Sequence, residues 1–267
     1  MENRLIRPQA RRMLDTPTAP HGNRLTLILA QLCLLVVAAG VYMIPLGLYQ
    51  VSGLLFGYVL WLDIAAYGLM GGLALLVWIP LAASVYRLAC LMTLARPGLP
   101  AGGQSPDLSR LFDPFTSRRA YRRALAVGME ALGWVALVVG VPAVGYGLLA
   151  AIFDRMANRG VHTTLCNLMT VASLLLCVVC GLLCLLLSVR RAGFGYFVFT
   201  REELSLREVN RYFKGLRREW LRPLALRFSL TGWVLLSVVA VLVPFVVHTI
   251  PYALCCSTVY ASELEKQ

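Results

Sequence analysis

The stretch from Phe228 to Leu264, FSLTGWVLLSVVAVLVPFVVHTIPYALCCSTVYASEL, contains one acid, Glu263, and no lysine or arginine. Such a run belongs in lipid. It is also too long for one crossing, because roughly 20 residues at ~1.5 Å each already span the hydrocarbon. The chain must therefore double back. Pro244 near the middle lacks an amide proton and clashes with the preceding turn, so the break is expected there, with Pro251 kinking the return leg. Two spans, about 226–243 and 245–264, result.

The remaining sequence repeats the theme. It is 59% hydrophobic and 14% charged with a mean hydropathy of +0.72, against about 25% charged for an ordinary soluble chain. A basic net charge of +12 raises nucleic acid as a partner. The lysines and arginines, however, sit in short stretches between apolar runs and do not gather on one face of a domain.

The first 24 residues carry five arginines and no apolar core, and are expected to form a basic cytoplasmic segment. No small-residue cleavage site ends the following run, so 25–49 reads as a retained spanning helix and not as a signal peptide. Residues 50–65, broken by Gly53, Gly57 and Asp63 and rich in Tyr and Trp, read as interfacial or re-entrant. A second span is expected over 66–86, with Gly68 and Gly72 forming a GxxxG pattern and Arg87 snorkelling to the headgroups. A third over 124–153 is kinked at Pro142, and a fourth covers 165–189.

Two polar connections, 87–123 and 190–225, lie between these spans. In the first, DLSRLFDPF suggests a short turn against the membrane surface. In the second, Ser205 and Glu208 have capping-box spacing, and Leu206, Val209, Phe213, Leu216 and Trp220 recur at helical spacing among Arg207, Arg211, Lys214, Arg217 and Arg218. This predicts a basic amphipathic helix along an anionic leaflet, or equally a plain linker helix. The fold class expected is an all-α integral membrane protein of about six transmembrane helices with one amphipathic cytoplasmic interfacial helix. Under that layout every lysine and arginine except Arg155 and Arg159 falls on one side, so both termini, including the tail 265–267, are expected in the cytoplasm.

The ordered segments DLSRLFDPF, FGYFVFTREELSLREVNRYFKGLRREW, RFSLTGWVLL and TIPYALCCSTVYASEL resemble a bacterial multi-pass family catalogued as domain-of-unknown-function family 975. The likeness covers most of the chain. Its most specific parts are Phe228-Ser229-Leu230-Thr231-Gly232-Trp233, with threonine at 231 where the family has isoleucine, then Pro251-Tyr252 and Val259-Tyr260. The resemblance implies a bacterial inner-membrane location and the same helical layout; it implies no activity.

Chemistry-bearing residues are few. Cys177, Cys180 and Cys184 share one helical face, but thiolates in mid-membrane are costly and no histidine or carboxylate joins them, so they read as small packing residues. Cys255 and Cys256 are adjacent and point about 100° apart on a helix. His162 and His248 are expected near the outer face, as separate interfacial residues more readily than as a metal pair. Glu130, two to three turns into the third span, needs a partner, water or a proton. It reads as part of a proton or cation relay or, preferably, as hydrogen-bonded to Gln31, to a carbonyl or to an arginine at the rim.

No phosphate-binding glycine loop, HExxH or GxSxG pattern appears, so no cofactor is expected. The favoured reading is a non-enzymatic membrane component whose partners are anionic lipids, other proteins or a second copy of itself, without nucleic acid. A small transporter or channel-like protein using Glu130 is the alternative.

Overall fold

The computed structural model describes residues 3–57, 60–95, 106–158, 163–189, 191–216, 223–226 and 249–265, and no strand occurs among them. The chain divides into two compact units, Met1–Gly128 with Gly193–Gln267, and Met129–Ala192. Four helical stretches are long and apolar enough to cross a membrane: Asn23–Leu55, Leu60–Leu94, Arg118–Met156 and Cys166–Thr200. The predicted fifth span at 226–243, with its hairpin break at Pro244, lies almost wholly outside the described residues.

In the first unit, the basic N-terminal segment is a folded element. Helix α1, Asn3–Asp15, places Ile6, Ala10 and Leu14 at successive turns of one face, all buried. That stripe packs against the last helix, α10, Ile250–Glu265. Asn23 fixes the turn into α2, Asn23–Phe56. Its carboxamide oxygen accepts from Thr18 Oγ1 at 2.7 Å and from the Ala19 amide at 3.0 Å, while Nδ2 donates to the Met13 carbonyl at 2.6 Å.

Of the stretch 50–65, read from the sequence as interfacial or re-entrant, residues 50–56 and 60–65 are helical. Residues 50–56 continue α2 to Gly57, whose φ of +80° ends the helix, and the next helix, α3, runs Leu60–Leu73. Leucine and tryptophan sustain the helices on either side of that break, since no proline removes an amide. Ala74–Trp78 is wound as a π-turn before α4, Ile79–Leu94. Pro80 explains the local irregularity, because it cannot donate to the Leu76 carbonyl. The Tyr121 hydroxyl donates to that carbonyl instead, at 2.9 Å.

Three shorter elements complete this unit: a 3₁₀ turn, Leu108–Phe115, and helices α8, Phe194–Thr200, and α9, Leu206–Gly215. Together with the ends of α2, α4 and the helix that starts at Arg118 they build a close-packed core. Leu27, Leu88, Leu111, Phe197, Val209, Phe213, Cys255 and Ala261 are fully buried in it. The Thr93 and Thr258 hydroxyls hydrogen-bond at 2.8 Å, joining α4 to α10. Gly193 turns the chain into α8 with a φ of +88°, and a Cβ there would stand 3.1 Å from Ala261 Cβ. Glycine is needed for both reasons. At Gly128 the approach is closer still, since a Cβ would lie 2.3 Å from Ile79 Cγ2 and 3.0 Å from the Ile79 carbonyl oxygen.

Beyond this core the long helices are bare. Leu54 is 81% and Trp61 77% exposed, and Leu32, Leu35, Val36, Met43, Leu48 and Leu60 are exposed with them. Contiguous apolar surface on this scale far exceeds what a water-soluble monomer tolerates. Gly68 and Gly72 belong to that bare portion, where added methyl groups would meet open space.

The second unit consists of the end of α5, Arg118–Val135, a π-turn at Ala136–Gly140, α6, Val141–Asn158, and α7, Thr163–Val189. The predicted disturbance at Pro142 is realised as that π-turn, after which the helix continues. Helix α6 packs along α7, with Gly181 against the Val138 carbonyl. Val135, Val144, Leu148, Leu168, Leu175 and Leu183 are exposed around the pair, as expected of helices solvated by lipid.

Candidate functional site

The polar centre of the first unit begins with Arg87. It lies in α4 two turns before the helix ends, and the sequence expectation was that its side chain snorkels outward. It is buried instead, at 8% exposure. Nη1 donates to Asp113 Oδ2 at 2.7 Å and Nη2 to Glu202 Oε1 at 2.8 Å. A guanidinium is suited to this because its planar fork serves two carboxylates at once. Both carboxylates come from segments read as polar connections. Asp113 is delivered by the 3₁₀ turn, whose start Asp107 caps by accepting from the Leu108 amide, and Glu202 follows α8.

The expected surface turn DLSRLFDPF is thus partly a core element. Leu111 and Pro114 are buried, while Phe112 and Phe115 face outward at 54% and 46% exposure. Phe115 meets the Tyr121 ring at 6.1 Å.

Helix α5 contributes the second half of the site. Arg123, at 5% exposure, donates to the carbonyls of Val198 at 2.8 Å, Arg201 at 3.2 Å, Glu202 at 2.7 Å and Leu204. One side chain thereby ties the Val198 carbonyl, in the last turn of α8, to three carbonyls of the segment that follows the helix. Arg119, one turn earlier, donates from Nη2 to the Glu202 and Glu203 carbonyls at 2.6 and 3.1 Å. Arg110 reaches Asp113 only at 3.5 Å.

These residues border a cavity of about 390 Å³ lined by Arg87, Arg110, Asp113, Arg119, Arg123 and Glu202, with Thr116, Ser117 and Ala120 completing the wall. Chemically the arrangement is a charge-rich chamber without a nucleophile–base pair. It can bind and orient a polar group.

Helix α9 alters one sequence expectation. Its capping box forms, with Ser205 Oγ accepting from the Glu208 amide and the Glu208 carboxylate accepting from the Ser205 amide. Those Ser205 bonds hold the Glu208 carboxyl below its ordinary range. The apolar stripe, however, faces protein and not lipid. Val209 and Phe213 are fully buried, and Phe213 packs edge-on to Phe194 at 5.4 Å and against Phe197 at 5.6 Å. Arg207, Arg211 and Lys214 stand exposed on the opposite face. Arg217, Arg218 and Trp220 lie outside the described residues.

In the second unit, Glu130 accepts from Arg191 Nε at 2.7 Å, the pair being about 19% and 31% exposed. Of the structural partners anticipated for Glu130, an arginine is the one realised. Gln31, in the first unit, is buried, and neither its amide nitrogen nor its oxygen has a hydrogen-bond partner among the described residues.

Cys177, Cys180 and Cys184 are free thiols. No three His, Cys, Asp or Glu side chains gather into a metal-binding set among the described residues. His162 and His248 lie outside those residues.

Sequence reading missed the chamber because its ligating groups come from four separated segments. A usable signal was present: Arg119 and Arg123 are one helical turn apart at the start of an apolar helix, where arginines share a face.

Among the described residues, the fold and its site define a helical protein with four helices fit to span a membrane. No known family, curated protein or solved structure matches the chain.

Proposed function

We propose that this chain is a multi-pass protein of a bacterial cytoplasmic membrane, related to domain-of-unknown-function family 975. In this reading it acts as a non-enzymatic component that contacts anionic lipids and partner proteins. It has about six spans: the four long helices plus a fifth and sixth from the apolar stretch after residue 226. The arginine-rich core then lies on the cytoplasmic side with both termini.

One observation carries this reading. The bare portions of the long helices are apolar all round, whereas nearly every arginine of the first unit belongs to the close-packed end. That division supports a membrane boundary between the two, since arginines resist translocation. The packing of α1 on α10 supports placing both chain ends on one side. The exposed Arg207, Arg211 and Lys214 of α9 support contact with an anionic leaflet, through charge alone now that the apolar stripe is used internally. The pairing of Glu130 with Arg191 gives that carboxylate a structural role and leaves the transport reading without a specific observation in its favour.

Reporter fusions test the topology. Alkaline phosphatase joined after Asn158 is expected to be active, and fusions after Arg110, Lys214 and Gln267 inactive, with the converse pattern for a fluorescent protein. Active phosphatase at Arg110 and Lys214 would overturn the orientation. Activity at Gln267 alone would remove the returning final span.

A further inference from the structure

We infer that the chamber between the 3₁₀ turn, α4, α5 and the segment after α8 binds a phosphate group, borne by a lipid headgroup or by a soluble phosphorylated ligand. This inference rests on the membrane reading only for the lipid source.

The first argument is charge. Four arginines and two carboxylates line the chamber, giving +4 − 2 = +2. Arg87 draws on both carboxylates, and Arg110 has only the long contact with Asp113. Arg119 and Arg123 have carbonyl partners alone. Carbonyl dipoles orient a guanidinium but do not cancel its charge. Arg123 is therefore held buried, and Arg119 beside it at the exposed mouth, with no carboxylate in hydrogen-bond contact with either, and a buried charge is costly until it is directly paired.

The second argument is unspent hydrogen-bonding capacity. Arg119 uses one terminal nitrogen for the 202–203 carbonyls, leaving its other donors without partners among the described residues. Arg110 is held by a single nitrogen at 3.5 Å. Ser117 Oγ accepts from the Ala120 amide at 3.2 Å and keeps its own proton to donate. These groups line one cavity and point to an acceptor with several oxygens. A phosphate supplies up to four around one centre and suits the forked geometry of two guanidinium groups. At about 390 Å³ the volume is within the range of ligand pockets and exceeds what a bare phosphate fills, which leaves room for the group that carries it.

The third argument is depth. Arg87 precedes the end of one candidate span, and Arg119 and Arg123 open another. The exposed Phe112 and Phe115 stand on the same 3₁₀ turn as Asp113. Aromatic side chains and arginines at the ends of apolar helices mark the headgroup level, where lipid phosphates lie.

The test uses the full-length protein in detergent micelles, with unfolding temperature followed during titration with sodium phosphate, with sodium chloride at matched ionic strength, and with short-chain phosphatidylglycerol or phosphatidylcholine. Stabilisation that saturates with phosphate or with phosphatidylglycerol, but not with chloride, is expected. Arg110→Gln is expected to weaken it by about tenfold or more. Arg110 holds no other contact, so this variant keeps the fold, which an unchanged unfolding temperature without ligand verifies. Arg207→Gln, on the exposed face of α9, is expected to bind as the parent does.

Saturation with the phospholipid but not with phosphate assigns a headgroup, and the reverse assigns a soluble ligand. No saturable stabilisation by either, or stabilisation equal in the Arg110→Gln variant, overturns the proposal. Recovery of the protein from the soluble cell fraction without detergent would count against the membrane reading alone, and the phosphate titration would still decide the chamber.

Discussion

Arg123 has no carboxylate partner, yet it is the residue on which the site is built. Its guanidinium is directed at four backbone carbonyls in the segment 198–204. Removing it takes a donor from each, and leaves the Val198 and Leu204 carbonyls without the one they have, while Arg119 still serves Glu202 and the Leu204 amide still serves Arg201; the cost is roughly 1–3 kcal/mol for each carbonyl left unpaired that water cannot reach. Arg123→Lys preserves the charge but replaces a planar fork with a single ammonium, so it is expected to lower stability by about 2–4 kcal/mol. Thermal unfolding in detergent would measure this, and the fully exposed Arg207→Lys should show no change. Sequence alone identified Arg123 only as one of several loop arginines. Its role depends on where the carbonyls of a segment some 75 residues later come to rest, which no local pattern encodes. Glu130 was more legible, because a carboxylate inside an apolar helix must have a partner; the identity of Arg191 required the fold.

At the scale of elements, apolar runs long enough to cross a membrane were legible, since length and hydropathy decide them. Their ends were not. Helix α2 continues past residue 49 and α3 begins before residue 66 because polar and aromatic residues are as compatible with helix as the leucines before them. Helix α9 shows a different limit. Its period of 3.6 was plain in Val209 and Phe213, but periodicity states that one face is covered and not what covers it. The cover is Phe194 and Phe197, an aromatic run that hydropathy could not separate from a span.

The capping box supplies a prediction for this element. Glu208 has a depressed pKa, so its contribution to α9 is complete above the ordinary carboxylate value of about 4.3 and disappears as pH falls through its lower folded value. Protection of the α9 amides from hydrogen exchange, compared between the parent and Glu208→Gln, should differ near neutral pH and converge once the pH has fallen below the depressed pKa of the Glu208 carboxyl. A difference that persists in acid would show that the carboxylate charge is irrelevant to the helix start.

For the molecule as a whole, the separation into a bare apolar part and a charged packed part followed from composition and charge placement. The content of the packed part did not. Segments 1–24 and 190–225, read as tail and connection, contribute Ile6, Ala10, Leu14, Phe197 and Phe213 to its core. Both ends of the chain are thereby committed to the same structure through α1 and α10. Ala10→Asp places a charge at a position with no exposed surface and is expected to detach α1. In a background where the other six cysteines are replaced by alanine, Cys255 and Cys256, both fully buried, should then react with a membrane-permeant maleimide, whereas the same background with Ala10 intact resists it. Unchanged protection would show that α10 is shielded independently of α1.

The hydroxyl of Tyr121 answers the Leu76 carbonyl that Pro80 cannot. A phenol on one long helix thus stands in for a missing amide on another, at the turn where that second helix departs from regular winding. Sliding the two past one another costs this bond, about 0.5–1.5 kcal/mol, so the irregular turn is also a point of attachment between the helices.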